Sequence, residues 1–115
     1  MEFELEEKFK KEFKKLFKRY RSLDKDFVFF QQLIVKLLDT ITVRSANHHA
    51  ILYRDQENNL FIFKSRLQCR TLRRNSLRLI YVYKKDEQKI RFIQIYFKGD
   101  RQNEDVARWK KFKKF

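Results

Sequence analysis

Gly99 is the only glycine in the sequence, and the 115-residue chain contains no proline. P-loops and dinucleotide-binding fingerprints need glycines that let backbone N–H groups approach phosphate, so the chain has neither motif. Collagen-like repeats and glycine- or proline-rich linkers are excluded as well. Cys69 is the only cysteine, so no disulfide forms within the chain, which fits a reducing compartment. With 43% apolar residues to build a core, residues 1–115 are expected to form one domain.

The first third of the sequence has apolar residues at helical spacing. Glu2–Leu5 is expected to be a short strand or lead-in, and a helix then continues to about Tyr20. A polar break follows, in which Ser22 or Asp24 is suited to cap a second helix. Two amphipathic helices joined by a tight polar turn predict an antiparallel helical hairpin. The two apolar stripes consist of Phe9, Phe13, Leu16, Phe17 and Tyr20, and of Leu23, Phe27, Phe30, Ile34, Leu37 and Leu38.

The centre of the sequence changes to a strand-like composition. Residues 40–59 are expected to be a loop because Asn and His residues are frequent there. Three segments rich in aromatic and branched residues follow, at Leu60–Leu67, Leu77–Tyr83 and Lys89–Phe97. Polar runs separate these segments, and Lys85–Gln88, which lies between the second and third, has the length of a hairpin connection. The pattern predicts three consecutive antiparallel strands.

The C-terminal residues predict a short basic helix. Asn103 is the expected cap, with Glu104 and Asp105 in the first turn and lysines near the end, as the helix dipole favours. The expected fold is therefore α+β: an N-terminal helical hairpin packed on a small antiparallel sheet of three to four strands, followed by this helix.

Positive charge is concentrated in one part of the sequence. The formal net charge is +14, and an excess of this size attracts polyanions through counterion release. Residues 64–85 contain eight basic side chains and no acidic one. Basic residues on strands also serve only to keep a face solvated or to block edge pairing, and this alternative stays open for each of them. The eight are Lys64, Arg66, Arg70, Arg73, Arg74, Arg78, Lys84 and Lys85.

Strand alternation gives several of these side chains a direction. Lys64 and Arg66 are expected to project from the face opposite to Phe61, Phe63 and Leu67. Tyr96 and Lys98 on the third segment are suited to continue that basic face. Arg78 lies among apolar neighbours, where an isolated buried charge is very costly, so it must have a partner or an opening to solvent.

From Leu60 onwards the sequence resembles the RelE/ParE superfamily of bacterial and archaeal toxins. The resemblance rests on Phe63–Leu67, Ser76–Tyr81 and Ile95–Asp100, on the helix start at Asn103–Asp105, and on the lysine-rich segment Lys8–Leu16. It implies the compact toxin fold of that superfamily and a type II toxin neutralised by an antitoxin. RelE-like members cut messenger RNA in the ribosomal A site without metal, whereas ParE-like members block DNA gyrase and lack the nuclease residues.

The resemblance also assigns roles to residues. Arg78 matches the phosphate-binding arginine of the RelE-like members, and Lys64 and Arg66 match the basic pair on the preceding strand. The correspondence loosens beyond Lys98. The tyrosine that some members carry near the last helix has no secure match here, so the general base is left open.

Metal-free RNA cleavage needs a base for the 2′-hydroxyl, cations for the developing charge and an acid for the leaving 5′-oxygen. Arg78, supported by Arg66, is the expected clamp on phosphate. Lys64 is a candidate base because neighbouring cations should lower its pKa. Tyr96 or Tyr81 is a candidate for stacking a base or donating a proton, although Tyr81 fits the core equally well. The catalytic candidates are thus Lys64, Arg66, Arg78 and Tyr96.

Further basic residues are candidates for RNA contact, and histidine is a candidate for proton transfer. The RNA-binding candidates are Arg70, Arg73, Arg74, Lys98 and Arg101, with Arg70 or Lys98 also able to serve as acid or clamp. His48 and His49 lie in the predicted loop, and His49 is a candidate acid–base group. A loop pair without a role is the alternative. One cysteine and two adjacent histidines make no metal-ligand set, so no metal and no cofactor are expected.

Three functions remain in competition at this stage. The first is a toxin that cleaves mRNA on the ribosome, with a cognate antitoxin as partner. The second is a ParE-type gyrase inhibitor, and the third is a non-catalytic basic module that binds nucleic acid. The sequence has no apolar run of about 20 residues and no signal-peptide pattern at its start, so a cytoplasmic protein without membrane contact is expected.

Overall fold

The computed structural model of the chain describes residues 1–40, 49–72 and 77–114. The described residues form an α+β fold. The elements, in chain order, are β1 (Glu2–Leu5), α1 (Glu7–Arg19), α2 (Leu23–Thr40), β2 (His49–Asp55), β3 (Leu60–Leu67), β4 (Leu77–Lys84), β5 (Lys89–Phe97) and α3 (Val106–Lys110), followed by a 3₁₀ turn (Lys111–Lys114). The three central strands were predicted within one residue, because dense aromatic and branched residues end there at polar turns.

The sheet is larger than the sequence predicted and is not wholly antiparallel. Its order is β1-β5-β4-β3-β2, and every neighbouring pair is antiparallel except β1 and β5, which are parallel. The prediction of three to four antiparallel strands was therefore wrong in number and in direction. On β1, Glu4 forms ion pairs with Lys89 and Arg91 of β5, which fixes this edge.

Strand β2 lies inside the segment that was predicted to be a loop. It pairs with β3 from His49↔Ser65 to Asp55↔Leu60. The register shifts between Ile51 and Tyr53, so Leu52 forms an irregularity that breaks the alternation of side chains. Without a clean period of two, the sequence pattern carries no strand signal there.

One face of the sheet packs against α1 and α2 through aromatic rings. Phe27 of α2 meets Phe92 of β5 edge-on, with ring centroids 4.9 Å apart, and Phe9 of α1 lies 5.6 Å from each of them. Phe63 and Tyr81 extend this cluster across β3 and β4. Offset and edge-on pairs each contribute about 1 kcal/mol beyond the burial of their area. This packing fixes which side chains of β3, β4 and β5 point away from the helices.

The opposite face of the sheet is partly covered by the C-terminal segment. Trp109 of α3 packs on an apolar cluster that includes Ile62, Ile80 and Ile93. Helix α3 begins at Val106, and Asp105 is its cap, accepting a hydrogen bond from the Arg108 N–H at 3.3 Å. The predicted cap at Asn103 was wrong.

Within the described ranges, none of the helices combines the length and the apolar character needed to cross a membrane.

Candidate functional site

Three functional candidates form a row across the sheet. Arg66 on β3 is the cross-strand partner of Arg78 on β4, and Arg78 is the partner of Tyr96 on β5. Directly opposed residues share a face of the sheet, and this face is the one that points away from α1 and α2. The next row contains Lys64, opposite Ile80 and then Gln94. Strand alternation thus directs Lys64, Arg66 and Tyr96 to one face, as the sequence predicted.

The basic side chains of this face surround a cavity of about 220 Å³. We call this cavity the cation pocket. It brings together four of the predicted cations from three parts of the sequence, although two of them, Arg66 and Lys98, remain exposed to solvent. The lining consists of His49, Ala50, Lys64, Ser65, Arg66, Arg78 and Lys98.

Arg78 is the most deeply placed cation of the pocket, with 7% of its surface exposed. Its Nη1 donates a hydrogen bond to the backbone oxygen of Leu77 at 3.2 Å. Burial lowers the pKa of Arg78, the Arg66 charge adds to this effect, and Tyr96 opposes it. Because arginine stays protonated at neutral pH even when its pKa is lowered, Arg78 gives the pocket a permanent and largely desolvated positive charge. Such a charge favours an incoming anion.

Lys64 of β3 forms an ion pair with an acidic residue from the C-terminal segment. Its Nζ lies 2.8 Å from Oε2 of Glu104, which precedes α3. Burial by itself lowers the pKa of Lys64, but the hydrogen bond and the charge of Glu104, together with the nearby Tyr96, outweigh burial, and the pKa lies above its ordinary value. The prediction that neighbouring cations lower this pKa was wrong. In this arrangement Lys64 is protonated at neutral pH and paired with Glu104, which disfavours a role as a general base.

Tyr96 lies between the cations and the C-terminal segment. Only 5% of its surface is exposed, so in this arrangement no nucleobase stacks on its ring. Burial raises the pKa of Tyr96, while the charge of Lys64 lowers it. The hydroxyl is buried without a well-formed hydrogen bond to any described residue, although Lys64 and Glu104 are near it. Tyr81, the other tyrosine candidate, is fully buried on the helix side of the sheet.

His49 is the first residue of β2 and is not in a loop. Its Nε2 is 2.8 Å from the hydroxyl of Tyr81, which is also 2.9 Å from the hydroxyl of Ser65. The His49 ring packs on Phe63 with a centroid distance of 4.1 Å. Burial lowers the pKa of His49 to about 4. The ring is therefore neutral at pH 7, and the acid–base group proposed for the site is instead held in a buried hydrogen-bond chain.

Several predicted RNA contacts lie elsewhere. Arg70 is bound to Asp26 of α2, through its backbone N–H at 2.9 Å and its Nε at 3.0 Å, and it does not line the pocket. Arg101 is exposed and donates from Nε to the backbone oxygen of Asn103. Arg73 and Arg74, like His48, lie outside the described residues.

The position and the contact of Glu104 were not predicted from the sequence. It was placed in the first turn of the last helix, but its carboxylate belongs to the site. Forty residues separate it from Lys64, and no local pattern announces a pair at that distance. Gln94 was also overlooked: its Oε1 accepts a hydrogen bond from the Asp105 N–H at 2.9 Å and ties the same segment to the sheet.

The described part of the chain contains no group of three or more His, Cys, Asp or Glu side chains that could hold a metal ion. Cys69 is buried, and its sulfur lies 3.4 Å from the Ser22 hydroxyl and 3.5 Å from the Thr71 hydroxyl. Its surroundings are those of a packed side chain at the start of α2.

Comparison of the chain with protein-family models, with curated proteins and with solved structures gives no match.

Proposed function

We propose that this protein binds RNA by holding a backbone phosphate in the cation pocket. The supporting observation is the direct opposition of Arg66 and Arg78 on neighbouring strands, with Lys64 and Lys98 lining the same cavity. Like charges directly opposite each other on a sheet destabilise it. A bound anion relieves that repulsion, and the planar guanidinium fork is suited to two phosphate oxygens.

The size and composition of the site support a phosphodiester in particular. A cavity of about 220 Å³ is large enough for one small anionic group such as a phosphate, and its exposed residues Arg66 and Lys98 leave it open to a chain that extends beyond it. The net charge of +14 supplies the long-range attraction that guides a polyanion to it. RNA would therefore be held mainly through its backbone, with affinity that falls as salt rises.

The biological proposal rests on the resemblance to the RelE/ParE superfamily. In it the protein has the RelE/ParE-like toxin fold and is the toxin of a type II toxin–antitoxin system in the cytoplasm. It cleaves mRNA on the ribosome without metal until its antitoxin binds it. In the cleavage step the 2′-hydroxyl loses its proton to water and its oxygen attacks phosphorus, the bond to the 5′-oxygen breaks, and the products are a 2′,3′-cyclic phosphate and a 5′-hydroxyl that takes a proton from water. Arg78 and Arg66 would stabilise the charge that develops on the phosphate oxygens.

A second candidate function is binding of RNA without cleavage. The Lys64–Glu104 ion pair keeps Lys64 protonated, and His49 is buried against Tyr81. Neither residue is available as a general base for the 2′-hydroxyl in this arrangement. These two observations favour a module that grips RNA and leaves it intact.

Induced expression in a bacterium separates these functions. The toxin proposal expects growth arrest and new mRNA 5′ ends, and purified protein should cut RNA in the presence of EDTA. Arg78→Lys, which keeps the charge but loses the fork, should abolish cutting, while the control Arg54→Gln on the exposed part of β2 should not. Salt-sensitive RNA binding with intact transcripts would support the non-catalytic module. Growth arrest with altered DNA supercoiling and intact RNA would indicate gyrase inhibition and contradict the proposal.

A further inference from the structure

The C-terminal segment brings a carboxylate onto a cation that the proposed RNA site needs. Glu104 Oε2 and Lys64 Nζ are 2.8 Å apart, which is the length of a charge-assisted hydrogen bond from lysine to a phosphate oxygen. The two side chains are 12% and 26% exposed, so the pair is mostly shielded from water. The carboxylate therefore takes up one of the three hydrogen-bond donors of Lys64 and neutralises its charge.

We infer that Glu104, which lies outside the lining of the cation pocket, is an intramolecular competitor of RNA phosphate for Lys64. In the free protein its carboxylate neutralises Lys64, and a phosphate must displace it before Lys64 contributes to binding. Arg66, Arg78 and Lys98 provide the additional cations that let phosphate win this exchange. The inference deepens the proposed function and rests on it: Glu104 sets the affinity and the salt dependence of the site.

Other contacts hold Glu104 in position independently of Lys64. The next residue, Asp105, donates its N–H to Gln94 at 2.9 Å, and Arg108 binds both carboxylate oxygens of Glu12 on α1 at 2.6 and 3.2 Å. The backbone at residue 104 is thus anchored, while the side chain keeps its own rotamers. Exchange of the carboxylate for phosphate requires only that the Glu104 side chain turn towards solvent.

Two polar groups near the Lys64–Glu104 pair are buried on this face of the sheet, and Tyr96 is close enough to Lys64 and Glu104 to influence the pKa of both. The Tyr96 hydroxyl and the Gln94 Nε2 are buried on this face, and neither makes a well-formed hydrogen bond with a described residue. Buried polar groups in native proteins are nearly always satisfied, so exceptions need an explanation. A second arrangement, in which Glu104 leaves and an anion enters beside these groups, provides one.

The test compares Glu104→Gln with Glu57→Gln, which removes the same charge from the exposed turn between β2 and β3. RNA affinity is measured by fluorescence anisotropy over a range of salt concentrations, and binding of inorganic pyrophosphate by calorimetry. We expect Glu104→Gln to raise RNA affinity about fivefold. The slope of log affinity against log salt concentration should become steeper by about 0.7, which is the increment for one phosphate contact on a single strand. Glu57→Gln should change affinity less than about twofold.

Lys64→Gln, introduced into the wild type and into Glu104→Gln, tests whether Glu104 acts through Lys64. If Glu104 occupies Lys64, the lysine substitution should weaken binding only slightly in the wild type and about fivefold in Glu104→Gln. Glu104→Asp retains the charge but shortens the reach, so it should raise affinity by an intermediate amount. This conservative variant keeps the test decisive if Glu104→Gln fails to fold.

The outcomes separate the inference from the proposed function. Equal effects of Glu104→Gln and Glu57→Gln, or an equal effect of Lys64→Gln in both backgrounds, would overturn the inference while leaving RNA binding intact. Tighter pyrophosphate binding by Glu104→Gln, in a protein that binds no RNA in either form, would support competition between Glu104 and anions for Lys64 but would overturn the proposed function and, with it, RNA as the competing ligand. No binding of either probe by either form would overturn both.

Discussion

Arg66 and Arg78 are direct cross-strand partners on β3 and β4, and their side chains point to the same face of the sheet. Arg78 is largely buried at this point, whereas Arg66 is exposed. Two like charges at such positions oppose folding, since cross-strand repulsion adds to the desolvation of Arg78. The arrangement carries an electrostatic cost to folding, which the proposed binding of an anion would offset.

The first prediction concerns that repulsion. Arg66→Thr should raise the free energy of unfolding by about 0.5 kcal/mol, because it removes the opposing charge and places a residue with high strand propensity on β3. Urea denaturation measures the effect. Arg54→Thr is the matched control, since Arg54 is exposed on β2 opposite Phe61 and so belongs to the other face. A loss of stability in Arg66→Thr beyond that of Arg54→Thr would contradict the prediction.

The second prediction follows from linkage between anion binding and folding. An anion that binds only the folded state stabilises it by mass action. Inorganic pyrophosphate should therefore raise the Tm of the wild type above that in sodium chloride of equal ionic strength. The increase should be largely lost in Lys98→Gln, whose side chain lines the pocket. An equal increase in both proteins would mean that the anion binds elsewhere.

The third prediction concerns Asp26, which ties α2 to the segment after β3. Its carboxylate accepts hydrogen bonds from the Ser22 hydroxyl at 2.6 Å and from the Arg70 backbone and side chain at 2.9 and 3.0 Å. Asp26→Asn should lower the free energy of unfolding by about 2 kcal/mol, because it weakens charge-assisted hydrogen bonds at a buried position. Chemical denaturation at neutral pH measures the loss.

The carboxylate of Asp26 should also make the stability of the fold decrease at acid pH. Burial alone raises the pKa of Asp26, but the hydrogen bonds from Ser22 and Arg70 bring it below the ordinary value of 3.8. The group therefore stabilises the fold fully above pH 3.8, and this stabilisation is lost as pH falls through the lower folded-state pKa. The difference in stability between wild type and Asp26→Asn should shrink over that range. A constant difference down to acid unfolding would show that ionisation of Asp26 is not the cause.

The fourth prediction concerns the titration of His49. Its pKa is lowered by burial from 6.5 to about 4, so between these values the unfolded chain binds a proton that the folded chain does not. Stability should fall, by up to about 3 kcal/mol, as the pH decreases over this interval. NMR of the ring in a His48→Gln background, where His49 is the sole histidine, should give a midpoint near 4. A midpoint near 6.5 would show that the ring is solvated and would restore it as an acid–base candidate.

Local sequence patterns predicted the elements that depend on local chemistry. The central strands were correct within a residue because Leu60–Leu67, Leu77–Lys84 and Lys89–Phe97 are rich in aromatic and branched residues and end at polar turns. Strand β2 was missed because its irregularity at Leu52 breaks the alternation. The parallel pairing of β1 with β5 depends on contacts between opposite ends of the sequence, which periodicity does not encode.

In the site, too, the features that depend on local alternation were predictable and the contacts between distant residues were not. Alternation placed Lys64 and Arg66 on the correct face, and the opening to solvent required by Arg78 exists as the cation pocket. The charge balance was not predictable, since Glu104 and Asp26 reach Lys64 and Arg70 from 40 and 44 residues away. The ion pair with Glu104 disfavours Lys64 as a general base, and the ion pair with Asp26 holds Arg70 away from the cation pocket.

The most direct test of the cation pocket is the salt dependence of RNA affinity in single variants. Arg66→Gln and Lys98→Gln should each weaken binding of a single-stranded RNA about fivefold and lower the salt slope by about 0.7, because each removes one phosphate contact. Arg54→Gln, which removes the same charge from the opposite face, should change affinity less than about twofold and leave the slope unchanged. If all three variants weaken binding equally, RNA is held by the overall charge of the protein, and the cation pocket is not its site.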